Sequence, residues 1–76
     1  MNNIKRGKLE KANKFLASAL DYVKPILDDE QQAFNNTPAK FQDSWKGEKM
    51  QVCIGQLFDA IENINDAMES IREASK

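Results

Sequence analysis

The apolar residues of this chain recur along two long arms at alternating steps of three and four residues. In the first arm these positions are Leu9, Ala12, Leu16, Ala19, Val23, Ile26, Glu30 and Ala33, where Glu30 is the only polar residue. In the second arm they are Met50, Ile54, Leu57, Ile61, Ile64, Met68 and Ile71. This spacing is typical of helices that pack at a shallow angle, as in coiled coils and helix bundles. The pattern predicts an all-α chain with two long helices.

Pro25 lies inside the first arm and raises two alternatives. A proline removes one backbone hydrogen bond and crowds the carbonyl four residues earlier, which costs roughly 3 kcal/mol in a helix interior. The chain could therefore break into two helices near this residue or form one kinked helix. The spacing continues unshifted from Val23 to Ile26 and Ala33, whereas a loop would usually reset it. We predict one helix, kinked at Pro25, from about residue 3 to residue 34.

The segment 35–38, Asn-Asn-Thr-Pro, separates the two arms. These residue types favour turns and helix caps over helix interiors. Thr37 followed by Pro38 matches an N-cap and a first helical position. Residues 39–42 are therefore predicted to form a single helical turn.

The second long helix is predicted to follow a cap at Asp43 or Ser44 and to run from about Trp45 to Ala74. Gly47 and Gly55 weaken it by up to about 1 kcal/mol each relative to alanine. An unbroken apolar row outweighs that cost. With the turn before it, this helix completes a predicted antiparallel helical hairpin.

The first helix is apolar beyond its three–four row. Leu20, Leu27 and Phe34 form a second row at seven-residue spacing, and Phe15 and Tyr22 flank the first row on its other side. A two-helix hairpin covers one face of each helix, and a wider apolar stripe is typical of helices with several neighbours. We therefore expect this second row to need a further helix.

Small residues recur at seven-residue spacing on the second helix, namely Cys53, Ala60, Ala67 and Ala74. They would let another helix approach closely, and the simplest closed solution is a homodimer that forms a four-helix bundle. A different helical protein is the alternative partner. The residues predicted to form the interface are Phe15, Leu16, Leu20, Val23, Leu27, Phe34, Leu57, Ile61, Ile64 and Met68.

The length of 76 residues predicts one domain, 1–76, and the core of such a chain rarely supplies more than about 3–5 kcal/mol without a staple or a partner. Cys53 is the only cysteine and there is no histidine, which excludes an internal disulfide and the common zinc sites. The formal net charge of −1 gives no general attraction to nucleic acid or to an anionic membrane.

The location of the protein follows from similar arguments. No apolar run approaches the roughly 18–20 residues that cross a bilayer, and residues 1–8 lead into charged residues and not into the apolar stretch of a secretory signal. A lone thiol fits a reducing compartment. We therefore expect a cytoplasmic protein that does not bind membranes.

Four acidic residues share one face of the second helix, Glu62, Asp66, Glu69 and Glu73. Di-iron sites in helix bundles use such carboxylates, but they also need Glu-x-x-His pairs, and this chain has no histidine. Cys53 likewise lacks a histidine to activate it as a nucleophile, so we interpret it as a small packing residue. The sequence predicts a solvated acidic face, no metal, no cofactor and no enzymatic activity.

The charged residues support an antiparallel hairpin. The start of the first helix is basic, with Lys5, Arg6, Lys8, Lys11 and Lys14, and the end of the second is acidic. Folding one arm back on the other lays these two ends side by side, which favours this orientation although each exposed ion pair contributes only about 0–1 kcal/mol. The basic stretch has no interleaved aromatic residues, so we do not expect nucleic-acid binding.

Trp45 begins the second helix, where a tryptophan usually serves as a hydrophobic plug at the end of a bundle. The sequence Trp45-Lys46-Gly47 between two long helices also resembles the WXG family of small type VII secretion substrates, which carry a Trp-x-Gly turn. That resemblance implies a secretion substrate or partner. The chain departs from the family in being shorter and in lacking a tyrosine-based export signal near its end, since its only tyrosine is Tyr22.

A second resemblance spans about residues 20–74. The stretches 28–38, 41–44 and 46–48, with Asp/Glu-Ala-Ile/Met steps after them, are similar to small helical proteins of bacteriophages and other mobile elements. This resemblance implies a fold and a genomic setting but no functional residues. The leading hypothesis is therefore a phage- or mobile-element-encoded protein–protein interaction module that modulates a host protein.

Overall fold

The computed structural model describes all 76 residues and contains three helices. They are α1 (Asn3–Asn35), α2 (Ala39–Gln42) and α3 (Trp45–Ala74). The two long helices lie side by side, and α2 is a single turn in the connection between them. The predicted all-α fold with two long helices is confirmed.

Helix α1 has a side-chain cap at its start and continues through its internal proline. The side-chain Oδ1 of Asn2 accepts a hydrogen bond from the backbone N–H of Lys5 at 2.8 Å, which caps the start. The helix then runs without a break through Pro25. Pro25 cannot donate to the carbonyl of Asp21, and because both residues are exposed, water can reach that carbonyl. The prediction of one helix through the proline is confirmed.

The predicted helical turn at residues 39–42 is also confirmed, but its cap was placed one residue too early. Pro38, with extended backbone angles, occupies the N-cap position. The Thr37 hydroxyl instead donates to the carbonyl of Ala33 at 2.8 Å, in the last turn of α1. A threonine hydroxyl can bond either way, and here the end of α1 offered an unpaired carbonyl.

Ser44 caps α3, as one of the two predicted alternatives. Its Oγ accepts from the backbone N–H of Gly47 at 3.4 Å and donates to the carbonyl of Phe41. The helix then extends to Ala74, and the hydroxyl of Ser75 donates to the carbonyl of Ile71 at 2.8 Å. The cap at Ser44 therefore joins the start of α3 to α2.

Two hydrogen bonds from α1, one to α3 and one to the residue that caps the end of α3, define the register of the long helices. Arg6 Nε donates to the carbonyl of Ser75 at 2.9 Å, and Asn13 Nδ2 donates to the carbonyl of Met68 at 3.1 Å. Each pair of residue numbers adds up to 81, so the helices run antiparallel, and a residue n of α1 lies level with residue 81 − n of α3.

The contact between α1 and α3 keeps the predicted three–four alternation, and every predicted position on α3 is half-buried. On α1, however, every second position of the row is displaced by one residue. Beyond Val23 the half-buried residues on α1 are Leu27, Glu30 and Phe34, whereas Ile26 and Ala33 are exposed. The row runs through Leu20 and Phe34 and not through the adjacent Ala19 and Ala33, because turning the larger side chains toward α3 removes more apolar surface from water. The predicted row was therefore wrong at Ile26 and Ala33.

The same displacement corrects the prediction for the second apolar row of α1. Leu20 faces α3 and is the only buried hydrophobic residue, with 7% of its surface exposed. Leu27 and Phe34 are half-buried. The hairpin itself thus covers much of this row, which was expected to stay exposed to water.

The molecule is a thin rod that measures 58 × 15 × 13 Å, with a radius of gyration of 17.3 Å. A compact chain of the same length would have a radius of gyration of about 11 Å. Two helices in a single layer enclose almost no interior, and Leu20 and Gly47 are accordingly the only buried residues.

Candidate interaction surface

A row of large apolar side chains lies exposed on α1. Phe15, Tyr22 and Ile26 are 66%, 77% and 51% exposed. With the half-buried Ala19 they recur at steps of four, three and four residues, so they lie on one face of the helix. This face is distinct from the one that contacts α3, which Leu20 occupies.

A row of small side chains lies on α3. Cys53 and Ala67 are exposed and Ala60 is half-buried. Their seven-residue spacing places them on one side of the helix, beside the residues that contact α1. Cys53 was interpreted as a packing residue, and within a single chain nothing packs over it.

The flank on which each row lies can be derived from a polar groove on one side of the hairpin, which residues near the start of α1 and the end of α3 line. Ala17 lines that groove, and Leu16 is half-buried against α3. Successive residues turn by about 100°, so Phe15 and Ala17 lie on opposite flanks of Leu16. Phe15 therefore lies on the side of the hairpin away from the groove.

The same geometry holds for α3. Arg72 and Met68 line the polar groove, and Met68 lies in the contact with α1. Ala67 comes one residue before Met68 and Arg72 four residues after it, so these two side chains point to opposite flanks, about 140° apart around the helix. The small row of α3 and the large row of α1 therefore lie on the same side of the hairpin.

Together the two rows form one surface, here called the alanine–aromatic face. Its members are Phe15, Ala19, Tyr22 and Ile26 on α1 and Cys53, Ala60 and Ala67 on α3. By the register of the hairpin, Phe15 lies level with residue 66 and Tyr22 with residue 59, each next to an alanine of α3. Large side chains on one helix thus stand beside small ones on the other.

The opposite side of the hairpin carries the polar groove, close to the chain ends. The groove encloses about 490 Å³ and is lined by Arg6, Glu10, Asn13, Lys14, Ala17, Met68, Arg72 and Ser75. Asn13 spans the two helices, because Nδ2 donates to Met68, while its Oδ1 is buried and has no hydrogen-bond partner. Charged and amide side chains thus dominate this part of the surface.

Phe58 lies beyond the groove on the same side of the hairpin. It precedes Arg72 by about four helical turns and is 52% exposed. This side is therefore polar near the chain ends and exposes an aromatic residue further along, whereas apolar residues follow one another along the alanine–aromatic face.

Ion pairs do not connect the two long helices. Arg72 pairs with Glu69 at 2.8 Å and Lys76 with Glu73 at 3.0 Å, both at the end of the chain. The basic and acidic ends do lie side by side as predicted, but the Arg6 guanidinium donates to a backbone carbonyl and not to a carboxylate. The expected charge complementarity between the two ends therefore does not take the form of contact ion pairs.

The hydrogen bond from Arg72, followed by its positive charge, lowers the pKa of the Glu69 carboxyl from its ordinary value. A lowered pKa in the folded state stabilises the fold above the ordinary pKa of a glutamate, and this contribution disappears as the pH falls through the lowered value. The Glu69 side chain is 60% exposed, so solvent screens the interaction.

The turn end of the hairpin is held together by side-chain hydrogen bonds to the backbone and by the close packing of a glycine. The Gln42 side-chain amide donates to the carbonyl of Phe34 at 3.1 Å and to that of Thr37 at 3.0 Å, so it ties α2 to the end of α1. Gly47 is buried against α2, and a Cβ there would lie 2.6 Å from the carbonyl oxygen of Phe41. Only glycine fits at this position.

Trp45 does not plug the end of the hairpin as expected. Its side chain is 67% exposed, and the Lys49 ammonium lies 4.2 Å from the ring centroid. Lys49 follows one turn later on the same face, where a cation over the ring is favourable.

The predicted interface residues divide into two groups. Phe15 lies on the alanine–aromatic face. The others lie between the two helices of the chain, with Leu20 buried and the rest half-buried: Leu16, Val23, Leu27, Phe34, Leu57, Ile61, Ile64 and Met68. The predicted set omitted Tyr22 and Ile26, although continuing the four–three spacing from Phe15 would have found both.

Comparison of this chain with protein-family models, with curated proteins and with solved structures finds no match. None of its helices combines the length and the apolar character that crossing a membrane requires.

Proposed function

We propose that this protein is a non-enzymatic protein–protein interaction module whose alanine–aromatic face binds a second helical hairpin, in the first place another copy of the same chain. The observation that carries this proposal is the exposure of Phe15, Tyr22 and Ile26 on one face of a chain that buries a single hydrophobic residue. Two hairpins joined through these faces form a four-helix bundle.

The exposed area supports the proposal. The chain exposes 5799 Å², whereas a compact monomer of 8.6 kDa exposes about 4700 Å². The excess of about 1100 Å² is larger than the roughly 800 Å² that each partner contributes to a standard interface. A dimer could therefore bury a full-sized interface and still leave the polar groove in water.

Light scattering tests the proposal at micromolar concentration, where we expect the mass of a dimer. Tyr22→Glu places a charge in the middle of the face and should give monomers, because an unpaired buried charge is strongly unfavourable at an interface. Trp45→Glu is the matched control, since it changes a similarly exposed aromatic residue at the turn end, beyond the last level of the face. A monomeric wild-type chain would refute the homodimer.

The resemblance to phage proteins supports the further proposal that a bacterial host protein is the target. Affinity capture with tagged wild-type protein, followed by mass spectrometry, should recover one host protein in stoichiometric amount. Trp45→Glu and Tyr22→Glu proteins, captured in parallel, would show which exposed aromatic residue the target needs. Recovery of the same proteins by all three baits would argue against a specific target.

A second candidate function is that of a type VII secretion substrate or partner. The observation in its favour is the close packing of Gly47, in the first turn of α3, against the short connection between the two long helices, at the place where that family carries its Trp-x-Gly motif. The neighbouring genes distinguish this candidate, because it requires a secretion ATPase or a large toxin nearby. Their absence would leave the phage-type module.

A further inference from the structure

We infer that the two hairpins of the dimer pack with their turns at the same end, so that the large row of each α1 lies on the small row of the partner's α3. This inference rests on the proposed homodimer and adds the symmetry of the assembly. It also states which helix contacts which.

Two arrangements are possible when identical hairpins meet face to face in a closed dimer. If the two-fold axis runs along the helices, the turns lie at the same end and each α1 contacts the partner's α3. If the axis crosses the helices, the turns lie at opposite ends, α1 contacts the partner's α1, and α3 contacts the partner's α3.

The sizes of the side chains favour the first arrangement. An axis along the helices preserves the level of every residue, so Phe15 meets the partner's Ala67 and Tyr22 meets the partner's Ala60. These pairs follow from the register in the chain, in which residue 15 lies level with 66 and residue 22 with 59. Large against small at each level is how facing helices interdigitate.

The second arrangement would separate the two kinds of side chain. The aromatic rows would meet each other along one edge of the bundle, and the alanine rows would meet along the other. Distances between helix axes follow the side chains at the contact, within about 8–10 Å. The α1 pair would therefore stand further apart than the α3 pair, and the two layers would form a wedge with poorer contact in the centre.

The position of the single cysteine allows cross-linking to distinguish the two arrangements of the dimer. Cys53 is exposed and lies on the alanine–aromatic face, toward the turn end. With the turns at the same end, Cys53 and the partner's Cys53 lie at one level across the centre of the bundle. With the turns at opposite ends and the axis near Ala60, they would lie about 20 Å apart along the bundle, far beyond the reach of a disulfide or of a short cross-linker.

A short bismaleimide, followed by a denaturing gel, tests the inference on the full chain. We expect the wild type to cross-link as a covalent dimer and Cys53→Ser to give none. In the Cys53→Ser background, Ala60→Cys and Ala67→Cys should both cross-link, because every residue stays level with its copy. Val52→Cys in the same background is the matched control and should not cross-link, since Val52 is exposed next to Cys53 but lies on the outer side of α3.

The cross-linking results distinguish a failure of the proposed arrangement from a failure of the proposed homodimer. Cross-linking of Ala60→Cys alone would place the turns at opposite ends and overturn the inference, as would a dimer by light scattering in which none of the three positions cross-links. In both cases the proposed homodimer would stand. A monomer by light scattering would instead refute the proposed function itself.

Discussion

Gly47 and Gly55 lie in the same helix, but only one of them is needed there. A Cβ at Gly47 would overlap the backbone of Gln42 and Phe41, whereas a Cβ at Gly55 would meet nothing within 4 Å. Both were expected to weaken α3 slightly. The local sequence does not show that α2 packs against the start of α3, and this packing is what requires glycine at position 47.

We therefore expect opposite effects from the same substitution. Gly47→Ala should lower the free energy of unfolding by about 2–3 kcal/mol, because the backbone of α2 must move. Gly55→Ala should raise it by about 0.5–1 kcal/mol, since alanine is the better helix former on an open surface. Urea denaturation followed by circular dichroism measures both, and equal effects would show that α2 does not pack on α3 as described.

At the scale of a whole helix, Pro25 is the residue that destabilises the element in which it lies. Helix α1 is about 50 Å long and contacts α3 on both sides of the proline. Packing over that length maintains the helix although one backbone hydrogen bond is missing. The exposed position of Pro25 keeps its ring away from the contact.

Removing this proline should stabilise the protein. Pro25→Ala restores the hydrogen bond to Asp21 and relieves the crowding, a gain of up to about 3 kcal/mol that the greater freedom of the unfolded chain reduces by about 0.4–1 kcal/mol. We expect a net gain of roughly 2 kcal/mol in thermal or urea unfolding. Lys24→Ala, at an adjacent exposed position, should change the stability by less than about 0.5 kcal/mol. A loss of stability in Pro25→Ala would contradict this account.

At this scale the sequence predicted most of the fold. The bounds of α1 and α3 depend on caps and apolar spacing, which are local, and both were predicted to within about a residue. The contact row was wrong at Ile26 because the sequence offers apolar residues at both 26 and 27, and the rotation of the helix decides which of them faces α3. Thr37 and Trp45 were misplaced because their contacts depend on how the turn folds back, which neighbouring residues in the sequence do not determine.

For the molecule as a whole, the candidate surface was only partly predictable. The width of the apolar stripe was visible in the sequence, but its division between the contact with α3 and the exposed face depends on helix rotation. Leu20 and Tyr22 show this, since residues so close in sequence are 7% and 77% exposed. A single layer of two helices can bury only one of these positions, and the other becomes available to a partner.

If dimerisation completes the core, stability must depend on concentration. When a dimer unfolds into two separate chains, its apparent free energy of unfolding changes by about 1.4 kcal/mol for each tenfold change in chain concentration. For a dimer of this size that shift corresponds to roughly 3–6 °C in Tm. Calorimetry of the wild type over a hundredfold range should show Tm rising steadily, whereas the Tyr22→Glu protein should melt lower and at one temperature throughout. A wild-type Tm that does not change with concentration would mean that the rod is stable alone, with its aromatic row open to water.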